Sequence, residues 1–397
     1  MGHADIHPSK LRPVFSRYQE KINEMKEDFS GKSPAPFVGH FGYPNVNVGI
    51  MAIPDKTEEA WKFDAPRYWA RENLDISQVA DYRSSLINSR FIAGIKDVNK
   101  SQKLIEMSQE IGMASRPVDV EINLEKKPIF RINTDDMTAP TGPNARLKKA
   151  MITENPKIDT KVDKIVSDTD LKAGEGIGYL YGKGFDENFL TRLLSIGNLG
   201  VQENRKLVPT RWSITAVDDT LGKSIIEEIR NYPETGYYAF HGGHLGNYYI
   251  IMTFPEPFRY ELFESYAGKS GEAGQVWTDY EGLNGRKDYA SVTVGGYYAA
   301  RLPIVEKLKA MKRRASVLAL RFITDEYYMP LGVWVVREAV RKTMESKPIE
   351  FGEEKYMLKY AEILAKKKFG YDINPLLKRS KLMKEVKTQN SLKKWIS

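Results

Sequence analysis

Between Tyr237 and Phe254 the backbone has few options. Two aromatic and β-branched runs, Tyr237–His241 and Asn247–Phe254, flank Gly242-Gly243-His244-Leu245-Gly246. Three glycines in five residues break any helix, and the flanking side chains suit a pleated surface, so the segment predicts strand, turn and strand. Phe37–Gly49 reads the same way, with Gly39, Gly42 and Gly49 between apolar and polar residues. Tyr260–Glu264, Gln275–Asp279 and Ala290–Val294 are expected to extend the later sheet. From Tyr297 the texture turns helical, at about 297–314, 332–345, 353–368 and 375–387, with a strand at Ser316–Ile323.

In the first half, Ser9–Phe29 predicts an amphipathic helix, ended by Ser30-Gly31 and the Pro-rich Ser33–Pro36. Ile76–Ile92 and Ser101–Ile111 read as helices, Val118–Leu124 and Pro128–Ile132 as strands, Leu147–Met151 as helix, and Asn155–Asp170 as a polar surface excursion. The fold class is mixed α/β (α+β): a larger N-terminal region with mostly antiparallel sheet, a mainly helical C-terminal region and a flexible tail. The expected divisions are 1–36 (helix and linker), 37–286, 287–387 and 388–397.

Composition narrows the chemistry. The 397 residues contain no Cys, which excludes disulfides, thiol catalysis and cysteine-ligated metal. A metal would have to sit on carboxylates and the five His. Met1–Lys10 is polar and no window reaches the apolar length of a membrane span, so an intracellular, cytoplasmic protein is expected. Lys and Arg exceed Asp and Glu by eight, and this excess is localised. Residues 301–321 carry seven basic side chains against one acid, and residues 355–397 carry twelve against three. The rest of the chain is mildly acidic. In a helix, Lys307, Lys309, Arg313 and Arg314 fall opposite an apolar face formed by Ile304, Val305, Leu308 and Met311. Such a ridge suits a DNA backbone, or is an ordinary solvated face.

Several residue groups permit a site. Asp218-Asp219 follow Trp212-Ser-Ile-Thr-Ala-Val, where a strand is expected to stop and a helix to begin near Thr220. There the carboxylates can hold Mg²⁺ or Mn²⁺ for phosphodiester hydrolysis, or cap the helix. His241 and His244 flank two glycines and can converge on a metal or a phosphate, or be turn residues. Arg211 suits phosphate capture, while His40, Asn45 and Asn47 can line a polar pocket. Gly174-Glu175-Gly176-Ile177-Gly178 and Gly182-Lys183-Gly184 fit neither nucleotide-loop spacing and read as mobile loop. Tyr237-Tyr238, Tyr248-Tyr249, Tyr297-Tyr298 and Trp334 are mostly core, with base stacking open to one or two of them.

At the end, Gln389, Leu392, Trp395 and Ile396 match the spacing Gln-x-x-aliphatic-x-x-aromatic-aromatic, with Ile396 in the second aromatic place. This resembles the peptide (PIP motif) by which DNA replication and repair proteins dock on the sliding clamp, PCNA. On one helical turn Leu392, Trp395 and Ile396 form an apolar plug, and Gln389 can bond at the pocket edge.

Leu207–Asp219, Phe37–Gly49 and Tyr327–Arg341 resemble three signatures of the archaeal DNA repair family NreA, in order along most of the chain. The resemblance implies repair of DNA damage in concert with the clamp. Many relatives look as if they begin with a Cys-rich metal finger, and this sequence has none. It points to a DNA-binding repair protein, possible as a metal-dependent nuclease through Asp218, Asp219, His241 and His244. The alternatives are a non-catalytic adaptor that brings other repair proteins to the clamp, and a nucleotide-binding protein.

Overall fold

The computed structural model describes residues 25–129, 135–267 and 275–396, with the side chains of Gln389–Ile396 outside that description. The fold is mixed α/β. Two compact units divide the chain, one running to Leu221 and including Met329–Gly332, the other comprising Gly222–Tyr328 and Val333 onward.

The first unit is built on a closed barrel. Its elements in order are β1 (Asp28–Val38), β2 (Asn45–Ile53), α1 (Pro66–Arg71), α2 (Ile76–Ser85), β3 (Ile87–Gly94), α3 (Lys103–Met113), β4 (Val118–Leu124) and β5 (Asn144–Ile152). After the barrel come α4 (Thr160–Ser167), α5 (Ala173–Gly182), α6 (Glu187–Ser195) and α7 (Thr210–Ile229), which crosses the unit boundary. The barrel order is β1-β2-β3-β5-β4, closing on β1. Only β3 and β5 run parallel. A five-stranded barrel in this order, with a helix between β3 and β4, has the strand topology of the oligonucleotide/oligosaccharide-binding (OB) fold. Alternation along β2 sends Val46, Val48, Ile50 and Ala52 inward, all fully buried. Ile50 and Ala52 meet Val118, Val120, Ile122 and Leu124 of β4, with Met107 and Ile111 of α3 in the same core, while Val46 and Val48 pack with Ala93, Ile105 and Leu207. Asn45, Asn47 and Gly49 are thereby left on the outer face.

Several expectations are corrected here. Residues 1–24 lie outside the described residues, but Asp28 and Phe29 begin a strand, and the Pro-rich Ser33–Pro36 lies inside β1. The pairing of β1 with β2 shifts register between Lys32 and Ala35, which gives Pro34 a strand position that dispenses with a donor. The helix expected over Ile76–Ile92 ends at Ser85, and β3 follows. Leu147–Met151 is strand: Leu147 and Ala150 are buried in a run whose charged neighbours point outward. The surface excursion at Asn155–Asp170 contains α4. The glycine-rich Gly174–Gly178 segment is helix α5, where Gly176 lets Ile165 approach to 2.9 Å from the site a Cβ would take. Of Pro128–Ile132, Ile129 makes one bridge to Asn144 and residues 130–134 lie outside the described residues.

The second unit is a six-stranded sheet between two helical layers. Its strands are β6 (Tyr237–His244), β7 (Asn247–Phe254), β8 (Tyr260–Tyr266), β9 (Val276–Glu281), β10 (Ser316–Ile323) and β11 (Ile349–Phe351), in the order β11-β6-β7-β10-β8-β9. Only β8 and β10 are parallel. The expected hairpin forms as predicted from its glycines, whereas Ala290–Val294 is a turn leading into a helix. The helices are α8 (Val294–Ala310), α9 (Trp334–Glu345), α10 (Glu354–Phe369), α11 (Asn374–Arg379) and α12 (Lys381–Ile396). One sheet face, with Ala239, Ile250, Met252, Phe263, Leu320 and Phe322, packs on α10 to α12. The alternate residues face α8 and α9: Lys307 lies over the Phe240 ring, and Tyr260 and Tyr297 pack with centroids 5.0 Å apart. No helix among the described residues is long and apolar enough to cross a membrane.

Candidate nucleic-acid interface

Outside the barrel, β2 and β3 present a polar strip. Residues 47 and 49 of β2 and 88 and 90 of β3 share this face because side chains alternate. Gly49 is required here, since a Cβ would lie 1.8 Å from the end of the Asn88 side-chain amide. The strip floors a cavity of about 200 Å³ lined by His40, Asn47, Asn88, Arg90, Thr138 and Arg211, with Phe41, Asp135 and Thr141 at its walls. The β1–β2 loop supplies His40 and Phe41. Its turn is closed by Asn45 N–H donating to Gly42 O at 2.9 Å, with Gly42 at φ +84°. The β4–β5 connection supplies Asp135, Thr138 and Thr141, and the first turn of α7 supplies Arg211. That helix is tied to the barrel by Val38 N–H donating to Thr210 Oγ1 at 2.9 Å.

Two cations shape the electrostatics. Arg211 Nη1 lies 3.2 Å from His40 Nε2 and 3.7 Å from Asp135 Oδ2. Burial, with Arg211 second, holds the His40 pKa below the usual histidine range, so near neutral pH the ring is uncharged and Nε2 accepts from the guanidinium. Arg90 is half-buried, and burial alone perturbs it. In the orientation that satisfies both groups, the fully buried Asn88 carbonyl oxygen accepts from Arg90 Nε and Nη2 at 3.3 Å. A guanidinium held there without a carboxylate among the described residues suits an anionic ligand. Phe41 in the cavity wall is 72% exposed, and Tyr43 of the same loop and Trp212, next to Arg211 in α7, are both 46% exposed and pack with centroids 5.1 Å apart.

The family profiles for the archaeal Nre N-terminal and C-terminal regions match residues 10–271 and 281–395. The chain is 36% identical to DNA repair protein NreA of Haloferax volcanii over 83% of its own length and 81% of that protein. It is 35% identical to DNA repair protein NreB of Archaeoglobus fulgidus over 94% of each. With NreA of Archaeoglobus fulgidus it shares 37% identity over 85% of this chain and 86% of that one. The chain belongs to the archaeal Nre family. Its relatives' names support a role in DNA repair. No solved structure matches it significantly. Two of the three Nre signatures line the cavity. Phe37–Gly49 and the start of Leu207–Asp219 line it, and Tyr327–Arg341 backs it through Gly332, where a Cβ would lie 2.5 Å from the Thr138 carbonyl carbon.

The other candidate residues are placed elsewhere. The run Trp212–Val217 is expected to end a strand, but it lies within helix α7, and Asp218 and Asp219 fall in the middle of that helix rather than in its first turn. Asp218 is fully buried. His241 and His244, three residues apart on β6, project to opposite sheet faces: His241 Nδ1 meets the Tyr360 hydroxyl of α10 at 3.3 Å, and His244 Nδ1 meets Lys342 Nζ of α9 at 3.1 Å. The two imidazoles share no ligand. Among the described residues no group of three His, Asp or Glu is placed to hold a metal ion.

The basic ridge is largely neutralised. Lys309 pairs with Glu228 at 2.6 Å and Arg314 with Glu234 at 3.1 Å, while Lys312 and Arg313 are exposed. Arg301 and Arg321 are not on the surface at all but pair inside with Glu281 and Glu264. The residues that the sequence reading missed are Asn88, Arg90, Thr138 and Thr141. The only sequence signal for the first two is their alternation on a strand that was read as helix.

His244 makes a separate prediction. Burial, with Lys342 second, lowers its pKa from 6.5 to about 4. Between these values the unfolded chain binds a proton that the folded chain excludes, so stability is full above pH 6.5 and falls as pH drops towards 4. The loss is on the order of 3 kcal/mol. Urea midpoints measured from pH 7.5 to 4.5 should show this slope, and His244→Gln should flatten it.

Proposed function

We propose that the chain is a DNA repair protein that binds single-stranded DNA across the outer face of β2 and β3 and docks on the sliding clamp through Gln389, Leu392, Trp395 and Ile396. What carries the DNA-binding reading is a cavity lined from two of the family signatures and backed by the third, with two guanidinium groups and the exposed Phe41 ring in its wall. Its place on strands 2 and 3 and the flanking loops is where barrels of this topology take oligonucleotides. Arg211 and Arg90 hold phosphates, Phe41 and Trp212 stack on bases, and Lys307, Lys309, Arg313 and Arg314 add at most long-range attraction.

Fluorescence anisotropy with a labelled oligothymidine and the matching duplex tests this reading. Tighter binding of the single strand, weakening steeply with salt, supports it; equal or absent binding overturns it. Strand cleavage in Mn²⁺ that disappears in Asp218→Asn would instead favour the nuclease reading.

The clamp-docking reading is supported by the spacing of the last nine residues and by the backbone of α12, which is helical as far as Ile396. Leu382, Met383 and Val386 anchor the start of that helix in the core of the second unit, ahead of the peptide. Deleting Gln389–Ser397 is expected to abolish clamp binding by calorimetry and leave the melting temperature within a few degrees. Unchanged clamp affinity would reject the docking role.

A further inference from the structure

We propose that the cavity on the outer face of β2 and β3 receives one extruded nucleobase from the bound strand. The inference deepens the strand-binding reading above and rests on it. Size comes first: about 200 Å³ is below the range of pockets that enclose drug-sized ligands, and it suits a single heteroaromatic ring system rather than a whole nucleotide.

The lining has the chemistry of a base edge. Asn47 offers an amide donor and acceptor in the floor, Asn88 fixes the Arg90 guanidinium beside it, and Thr138 and Thr141, both largely buried, offer hydroxyls that serve in either role. A nucleobase presents donors and acceptors in one plane, which is what such fixed groups can read. The two cations stand at the same opening, where the phosphate of an extruded nucleotide remains. Arg90 has burial as its only perturbation, and Arg211 is steadied by His40 and Asp135. Phe41 sits against His40 with ring centroids 4.0 Å apart and its own ring mostly exposed, so it can cover the base after entry.

The floor is also rigid. Asn88 N–H donates to Pro143 O at 2.8 Å, Gly39 N–H donates to Asn47 O at 2.8 Å, and Gly49 leaves the space that the Asn88 amide occupies. Pre-set polar groups of this kind discriminate, because a ligand that lacks the matching atoms leaves them unpaired.

The test uses the full chain and four DNAs: a single strand, a perfect duplex, a duplex with one bulged nucleotide, and the same duplex with an abasic residue in the bulge. The bulged base should bind roughly tenfold or more tightly than the abasic bulge, the size of one stacked base. A 2-aminopurine in the bulge should lose fluorescence on binding, and millimolar free nucleoside monophosphate should leave the strand bound. Asn88→Leu and the more exposed Asn47→Ala should each bring the ratio of bulged-base to abasic-bulge affinity towards one, and Asn88→Leu should also weaken the single strand, since Asn88 holds Arg90. Equal binding of the two bulges, with single strand still bound, overturns the base pocket and leaves strand binding standing. No binding of any strand overturns both, and displacement by the free monophosphate assigns the pocket to a free nucleotide and overturns the extruded-base proposal.

Discussion

Arg321→Ala is expected to destabilise the second unit by about 3–5 kcal/mol, the cost of leaving a buried charge without its partner. Arg321 is 8% exposed on β10 and donates from Nη1 to Glu264 Oε1 at 2.6 Å and from Nε to Asn247 Oδ1 at 3.1 Å. It therefore joins the middle strand to β8 on one side and to β7 on the other. Truncation strands the Glu264 carboxylate, which sits beside Gly296 of α8 where only a residue without a Cβ leaves it room. The double change Arg321→Met with Glu264→Leu should recover most of the loss, because replacing both charges removes the desolvation cost together with the attraction. Urea midpoints of the three proteins decide this. A loss below about 1 kcal/mol for Arg321→Ala would mean that water reaches the pair and screens it.

The second large effect is expected at the barrel rim. Phe41→Ala and Trp212→Ala should each weaken binding of a labelled single strand by about 1–3 kcal/mol, between roughly fivefold and 150-fold. Both rings are exposed although nothing in the barrel core needs them, and Trp212 is held in place by Tyr43. Arg211→Ala in the same assay should lower the salt slope by about one unit, since it removes one phosphate contact. These substitutions leave the core untouched, so the melting temperature serves as a control. Unchanged affinity in both aromatic variants would remove the β2–β3 face as the binding surface.

Where the sequence reading succeeded, local chemistry was decisive. Three glycines between β-branched and aromatic runs admit only the β6–β7 hairpin, and Val118–Leu124 and Ser316–Ile323 emerge as strands with the expected limits. The first loop was legible for the same reason, with Gly42 at a positive φ that other residues rarely adopt. It failed where the reason for a conformation lies far along the chain. Ile214, Thr215 and Val217 look like strand residues by type, yet the segment is helix α7, because a long helix with Thr210 tied to the end of β1 outweighs weak intrinsic preference. Gly174–Gly178 looks like loop, but Gly176 serves close packing against Ile165.

Charge shows the same division. Counting residues located the positive excess between 301 and 321, and nothing in the sequence could pair Arg301 with Glu281, Lys309 with Glu228 or Arg314 with Glu234. By itself the sequence determined the hairpins, the absence of thiol chemistry, the family signatures and the spacing of the terminal peptide, because each depends on residue type and short-range spacing. Only the tertiary structure decided that Asn47, Asn88, Arg90, Thr138 and Arg211, drawn from four separate segments, share one cavity, and that His241 and His244 do not share a face. Strand register and alternation set which side chains meet, and register is fixed by the packing of the whole barrel and sheet rather than by any local run.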